Sequence, residues 1–183
     1  MNRFFLSLLL LFIISGCSSK EYYTLGDTSN IISEQHDKQI IAITKVEVPK
    51  YLKDNAIVKQ ISPYKVVRLK NSNWLTPMQK RLTNVFINYL QKSLNNPNIY
   101  LYPWENKKET NKKITLKIKR FIAYKNNVIL EASYQIDNIK TKNYTTKLFS
   151  TKVSSSEETE EMIEAMEKAY FKLIQKITKD IIK

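Results

Sequence analysis

The sequence predicts an α+β fold in which a mixed, mostly antiparallel sheet carries two long helices on one face. Two segments repeat apolar residues at steps of three and four, which indicates amphipathic helices. Other segments alternate apolar with polar residues, which is typical of strands that have one buried and one solvated face. Only two glycines, Gly16 and Gly26, occur in 183 residues. The glycine-rich phosphate loops of nucleotide-binding folds are therefore excluded.

The first half of the chain contains strand-like segments separated by turn residues, namely Tyr22–Leu25, Ile40–Val48, Ala56–Ile61 and Tyr64–Leu69. A polar loop, residues 26–39, joins the first two. Pro49 ends the second strand because proline cannot donate a hydrogen bond to a sheet. Ser62 and Pro63 are turn residues, so the last two segments are predicted to form a hairpin.

The first long helix is predicted directly after this hairpin. Thr76 can cap it, and Pro77 suits its first position, where a missing N–H costs nothing. A single apolar stripe then recurs at helical spacing, formed by Met78, Leu82, Val85, Phe86, Tyr89, Leu90 and Leu94. The run Asn95-Asn96-Pro97 ends the helix.

A short strand at Ile99–Trp104 and a three-stranded meander are predicted next. In the first long strand, apolar and other large side chains share one face, namely Ile114, Leu116, Ile118, Arg120, Ile122 and Tyr124. Asn126-Asn127 forms a tight turn. The second long strand alternates from Val128 to Ile136, and a third runs from about Tyr144 to Val153.

The second long helix closes the chain. Residues 154–156 are serines that can cap it, glutamates crowd its first turns, and lysines occupy its latter half. This charge gradient complements the helix dipole. Its predicted buried stripe consists of Ile163, Met166, Tyr170, Leu173, Ile174, Ile177 and Ile181.

The N-terminus resembles the export signal of a bacterial lipoprotein. Arg3 precedes an apolar run from Phe4 to Ile14, which is too short to cross a bilayer, and Ser15-Gly16-Cys17 then matches a lipobox. The resemblance implies a diacylglyceryl group on the Cys17 sulfur, N-acylation of the new terminus and, because Ser18 follows, residence in the outer membrane facing the periplasm. The alternative is an ordinary cleaved signal that leaves a free thiol.

These features predict three regions: a signal peptide over residues 1–16, a lipidated tether over 17–21, and one domain over 22–183. The whole chain has 30 basic and 17 acidic residues, and removing Arg3 with the signal leaves 29 against 17, a balance of +12. Such a charge could serve anionic headgroups or an acidic partner, or it could reflect a general richness in Lys, Asn and Ile. No nucleic acid partner is expected for an exported, membrane-tethered chain.

The residue types needed for catalysis or metal binding are scarce. His36 is the sole histidine and Cys17 the sole cysteine, so we expect no metal site, no cofactor other than the covalent lipid, no catalytic residue and no enzymatic activity. A carboxylate pair for polymer hydrolysis stays open. Trp74 and Trp104 either pack at element junctions or form a contact surface. The basic stretch 107–125 is either a solvated strand face or a docking patch.

The chain resembles the ABC-transport auxiliary lipoproteins, the Pqi-type outer-membrane partners of MCE lipid transporters. The resemblance is carried by the lipobox and by Tyr22–Leu25, the strand ending in Pro49, Tyr51-Leu52, Ile57-Val58, Trp74-Leu75, Pro77-Met78 and Tyr102-Pro103-Trp104. Lys53, Asp54 and Ala56 stand where the family pattern has Asp, Arg and Gln. The family implies a fold similar to the N-terminal domain of TolB.

The resemblance implies a structural subunit that docks an MCE-domain protein and its ABC transporter at the outer membrane, with a homo-oligomeric ring suggested by analogy. The predicted partner-binding residues are Pro49, Tyr51, Leu52, Ile57, Val58, Trp74 and Trp104. Two other hypotheses stay open. The first is a pilotin-like assembly lipoprotein of another outer-membrane machine, and the second is a hydrolase acting on envelope polymers.

Overall fold

The computed structural model describes residues 19–33, 37–103 and 109–182. Within these ranges, eight strands form one mixed sheet and two long helices accompany it. The elements are β1 Glu21–Tyr23, β2 Ile41–Ile43, β3 Ala56–Ser62, β4 Lys65–Trp74, α1 Met78–Ser93, β5 Ile99–Leu101, β6 Lys112–Tyr124, β7 Asn127–Asn138, β8 Asn143–Ser154 and α2 Thr159–Ile181. The predicted α+β class is confirmed.

Strand β6 is the centre of the sheet. One of its edges pairs antiparallel with β7, which pairs antiparallel with β8. Its other edge pairs parallel with β2 near its beginning and with β3 near its end. Strand β4 pairs antiparallel with β3, and β1 pairs parallel with β4 at the edge of the sheet. Strand β5 pairs parallel with β2. Between β2 and β3 the chain therefore leaves the sheet and returns to it along the same edge of β6.

The core lies between the sheet and the two helices. Every residue of both predicted helical stripes is buried, so the helix assignments are confirmed. Strand β2 is buried along its whole length, as expected of a parallel strand inside a sheet. The Tyr170 hydroxyl on α2 donates to the Leu82 carbonyl on α1 at 2.8 Å. This bond ties the helices together and satisfies a fully buried hydroxyl.

A β-bulge overturns part of the predicted facing of β6. The pairing with β7 shifts between Ile118 and Arg120. Beyond this point Phe121 and Ala123 face the core, whereas Arg120 and Tyr124 are half-exposed. An extra residue in one strand inverts the alternation after it, so the uniform period assumed from the sequence was wrong over the last third of the strand.

Several element ends differ from the predictions; β1 spans Glu21–Tyr23 rather than Tyr22–Leu25, and β4 continues to Trp74 rather than ending at Leu69. Strand β2 spans only Ile41–Ile43, because the chain beyond it makes a single bridge, Glu47 to Lys117, before leaving the sheet. Pro77 rather than Thr76 occupies the N-cap position of α1, without a side-chain cap. Glu158 occupies the N-cap position of α2, also without a side-chain cap. The Ser156 hydroxyl accepts the Glu158 N–H at 3.0 Å, just before the helix begins.

Candidate docking surface and the N-terminal segment

The predicted lipidation residue Cys17 lies outside the described residues, as do His36 and Trp104. The described chain begins at Ser19, two residues after Cys17, and enters the sheet at Glu21 as the edge strand β1. Only a few residues thus separate the sheet from the predicted acylation position.

The segment after β1 is held firmly between the two helices. Leu25 is buried in the core, and the N–H groups of Gly26 and Asp27 donate to the Glu167 carboxylate on α2, the second at 3.0 Å. Arg81 on α1 donates to the Leu25 carbonyl at 2.5 Å. Bonds to both helices fix this segment, so the tether cannot be lengthened by peeling the chain from the domain without breaking core contacts.

Three of the predicted partner-binding residues belong to the core instead. Leu52 and Ile57 are 1% exposed and Trp74 is 2% exposed. A side chain that is already buried offers no area for a partner to cover. For Trp74 the structure favours the alternative interpretation, packing at the junction between β4 and α1.

Pro49, Tyr51 and Val58 remain half-exposed. We call the chain from Pro49 to Val58 the crossover segment, because it leaves the sheet after β2 and rejoins it as β3. It includes a short 3-10 helix, Lys50–Leu52. The predicted docking surface therefore narrows to the exposed side of this segment, while its other side anchors it to the core.

Tyr51 has a structural role that the sequence did not reveal. Its hydroxyl oxygen accepts the Phe121 N–H at 2.9 Å, just beyond the bulge in β6, at a point between the stretches of β6 that pair with β2 and with β3. Burial raises the pKa of Tyr51, so the hydroxyl stays protonated and neutral. The aromatic side chain thus replaces a missing strand partner and locks the crossover segment against the sheet.

Charged pairs of opposite sign surround the crossover segment. Lys117 approaches Glu47 at 3.3 Å, and Arg68 approaches Asp54 at 3.6 Å. Their side chains are more than half exposed, so each pair contributes at most about 1 kcal/mol to stability. The surface around Tyr51 is therefore a mixture of both charges rather than a uniformly basic patch.

Several lysines of the basic stretch 107–125 are also engaged within the chain. Lys113 lies over the Tyr102 ring at 4.8 Å, and Lys112 donates to the carbonyl of Ile181. Residues 107 and 108 lie outside the described ranges. These internal contacts favour the solvated strand face over a dedicated docking patch.

Within residues 19–33, 37–103 and 109–182, no three His, Cys, Asp or Glu side chains are grouped closely enough to hold a metal ion. In the same ranges, no helix has the length and apolarity required to cross a membrane.

Comparison with known proteins decides the family. The sequence model for the ABC-type transport auxiliary lipoprotein component matches residues 23–178. The chain belongs to this family. The protein is accordingly an auxiliary lipoprotein of ABC-type transport, and the predicted family membership is confirmed.

Solved structures share the fold of this auxiliary lipoprotein. An uncharacterized protein superposes with a TM-score of 0.72 at 18% identity, covering 89% of this chain and 99% of that one. A DUF330 protein from Xanthomonas campestris superposes with a TM-score of 0.71 at 12% identity, covering 86% and 92%. At such identities the likeness concerns the fold alone. Among curated proteins, no relative matches the chain.

Proposed function

We propose that this auxiliary lipoprotein is a non-catalytic outer-membrane subunit of an MCE-type ABC system that moves lipids between the inner and outer membranes. The observation that carries the proposal is the family match over residues 23–178 directly behind a lipobox ending at Cys17. Ser18 after that cysteine supports the outer membrane as the destination. The lipid would fix the position, and the folded domain would dock the transporter.

The short tether supports a docking role over a carrier role. Four residues from Ser18 to Glu21 reach at most about 14 Å, far less than the domain would need to shuttle between two membranes. The clasp formed by Glu167 with Gly26 and Asp27 keeps the tether short. The transported lipid would therefore travel through a partner that comes to this domain, the MCE-domain protein in this proposal.

The crossover segment is the proposed contact surface. Binding energy at interfaces comes from a few apolar or aromatic anchors, and Pro49, Tyr51 and Val58 offer partly exposed apolar side chains on a segment locked by the Phe121 bond. A rigid segment loses little conformational entropy when a partner binds. The charges of both signs around the segment would mainly orient the bound partner and would add little to its affinity.

Capture of the tagged, full-length lipoprotein from membranes in mild detergent tests the proposal. We expect an MCE-domain protein and ABC components among its companions. Recovery without any such component would contradict the proposal, and recovery of a secretin instead would favour the pilotin-like alternative.

A matched pair of charge reversals tests the surface. Lys53 is exposed in the crossover segment, and Lys152 is exposed on β8, away from it. We expect Lys53→Glu to reduce recovery of the companions and Lys152→Glu to leave it unchanged. Equal recovery with both variants would move the contact surface away from the crossover segment.

A further inference from the structure

The edge strand β1, followed backward from Tyr23 to Glu21, points toward the tip of the β3–β4 hairpin. Strand β1 runs parallel to β4, with Glu21 opposite Ser72. Since β4 begins at the hairpin turn, the N-terminal end of β1 is directed toward that turn. The turn at Pro63 and Tyr64, together with its neighbours Ile61 to Val66, is called the hairpin tip below.

Chain lengths allow the predicted acylation position to reach nearly the level of the hairpin tip. Tyr22 and Ala56 both pair with Asn73, so they lie at the same level. From Ala56 to Ser62, β3 rises about 20 Å, at roughly 3.3 Å for each residue. The five residues from Tyr22 back to Cys17 span at most about 17 Å. A fully extended segment before Tyr22 would therefore bring Cys17 nearly to the level of the hairpin tip, and a bilayer anchored there would meet the tip.

The side chains of the hairpin tip suit the boundary between headgroups and acyl chains. Tyr64 is 99% exposed, Val66 is 49% exposed and Ile61 is 47% exposed. Lys65 is also exposed beside them. Tyrosine, aliphatic side chains and lysine together provide an apolar body with polar ends, which is the composition found where proteins enter a membrane interface.

The hairpin tip is also held in shape before any contact. The Gln60 amide nitrogen donates to the carbonyls of Ser62 at 2.9 Å and Pro63 at 3.1 Å. Arg120 on β6 donates in turn to the Gln60 side-chain oxygen at 2.9 Å. The turn that presents Tyr64 is thus fastened to the centre of the sheet, and little order would be lost on insertion.

Acidic residues at this end of the domain are partly engaged within the chain. Glu157, just before α2, is bound to Lys59 at 3.2 Å, and Glu21 on β1 accepts a hydrogen bond from Tyr23 at 2.5 Å.

We propose that the hairpin tip is a membrane-contact element that enters the headgroup region of the bilayer carrying the lipid anchor. The proposal rests on acylation of Cys17, which is part of the proposed function. Alone, so small a tip would bind a bilayer weakly, but the anchor makes the contact intramolecular and raises its effective concentration. Two contacts, the acyl chains and the tip, then set the long strands upright on the membrane and hold the crossover segment at a fixed height.

A single fluorescent label tests this contact in the full-length, acylated protein. Cys17 is the only native cysteine, so acylation leaves an introduced cysteine as the one free thiol. Tyr64→Cys carries a polarity-sensitive fluorophore at the hairpin tip. Thr141→Cys, in the exposed β7–β8 turn at the opposite end of the sheet, serves as the matched control. Both proteins are reconstituted in vesicles of phosphatidylethanolamine and phosphatidylglycerol, and only protein that floats with the vesicles is measured.

At position 64 we expect a blue-shifted emission, quenching by quenchers attached to lipid, and protection from a water-soluble quencher. At position 141 we expect none of these changes. Equal exposure to water at both positions would overturn the proposal. A label at position 64 that responds only when a purified MCE-domain protein is added would overturn it too, by assigning the hairpin tip to a protein partner.

The mass of the N-terminal peptide separates this inference from the proposed function. If Cys17 carries its acyl chains and the label at position 64 stays in water, only the membrane contact fails. If the acyl mass is missing, the proposed anchor fails, and the inference fails with it.

Discussion

Asp180 near the end of α2 is a buried carboxylate on which the stability of the domain should depend. Its side chain is 2% exposed and accepts hydrogen bonds from the Tyr134 hydroxyl at 2.5 Å, Lys147 at 2.9 Å and Lys176 at 2.9 Å. Burial by itself would raise the pKa of Asp180, but the hydrogen bonds from Tyr134 and the two lysines outweigh it and hold the pKa well below its usual range. Burial, followed by the bond to Asp180, raises the pKa of Tyr134.

Asp180→Asn keeps the shape of the side chain and removes its charge. Charge-assisted hydrogen bonds contribute about 1.5–3 kcal/mol each, but both lysines are more than one third exposed and can return to water, which reduces the loss. Removing a negative charge close to the C-terminus of a helix also recovers up to about 0.5 kcal/mol. We therefore expect the free energy of unfolding at pH 7 to fall by about 2–3 kcal/mol.

The contribution of Asp180 to stability should decrease at acidic pH. Because the pKa of Asp180 is lower in the folded than in the unfolded state, its contribution is complete above the unfolded value of about 3.9 and is lost as pH falls below it. The difference between the native protein and Asp180→Asn should accordingly shrink by up to about 1.4 kcal/mol for each pH unit below about 3.9.

Urea unfolding of the chain from residue 19 onward, followed by circular dichroism, measures both quantities. Glu164→Gln on the same helix is the control, since Glu164 is 61% exposed and forms a surface pair with Lys168, so we expect a change below about 0.5 kcal/mol. A loss at pH 7 no larger than that of the control, or a loss that stays constant down to pH 2.5, would refute the reasoning.

Three further changes test other parts of the fold. Gly26→Ala should destabilise the domain by about 3 kcal/mol in urea unfolding, because φ is +92° and the new Cβ would lie 2.2 Å from a Val85 methyl group; an unchanged midpoint would contradict the described path after β1. Tyr51→Phe should lower the free energy of unfolding by about 1–2 kcal/mol, because it leaves the buried Phe121 N–H without its acceptor. Protection of the Phe121 amide in hydrogen exchange should fall as well. Unaltered exchange would show that the bond is not formed in solution. Leu82→Ala should lower the free energy of unfolding by about 3–4 kcal/mol, because it leaves a cavity in the core. A loss below about 1 kcal/mol in thermal unfolding would argue against the described packing.

The long, periodic elements were predictable because each one buries a regular stripe. Both helices and the β3–β4, β6–β7 and β7–β8 pairings are confirmed. The bulge in β6 was not predictable, because Phe121 and Ile122 are both apolar and either could face the core. Short parallel strands such as β2 carry too few residues for their ends to be read from a pattern.

The candidate site was predicted less well, for a related reason. An apolar residue next to proline or a loop can serve either a core or an interface, and the sequence does not distinguish the two. Leu52, Ile57 and Trp74 turned out to fill the core, while the hydroxyl of Tyr51 proved to bind the edge of β6. The polar end of an aromatic ring beside a strand is the one signal that could have suggested this role.

By itself, the amino-acid sequence determined the fold class, the two helices, the lipobox and the family, since all of these depend on local spacing or on contiguous motifs. Only the tertiary structure decided which residues of the crossover segment reach the surface and that β1 runs parallel to β4, with its N-terminal end directed toward the hairpin tip. Those facts follow from the parallel pairing of β1 with β4 and of β3 with β6. The partner and direction of a strand are set by contacts between residues far apart in the chain, which leave no periodic mark on either segment.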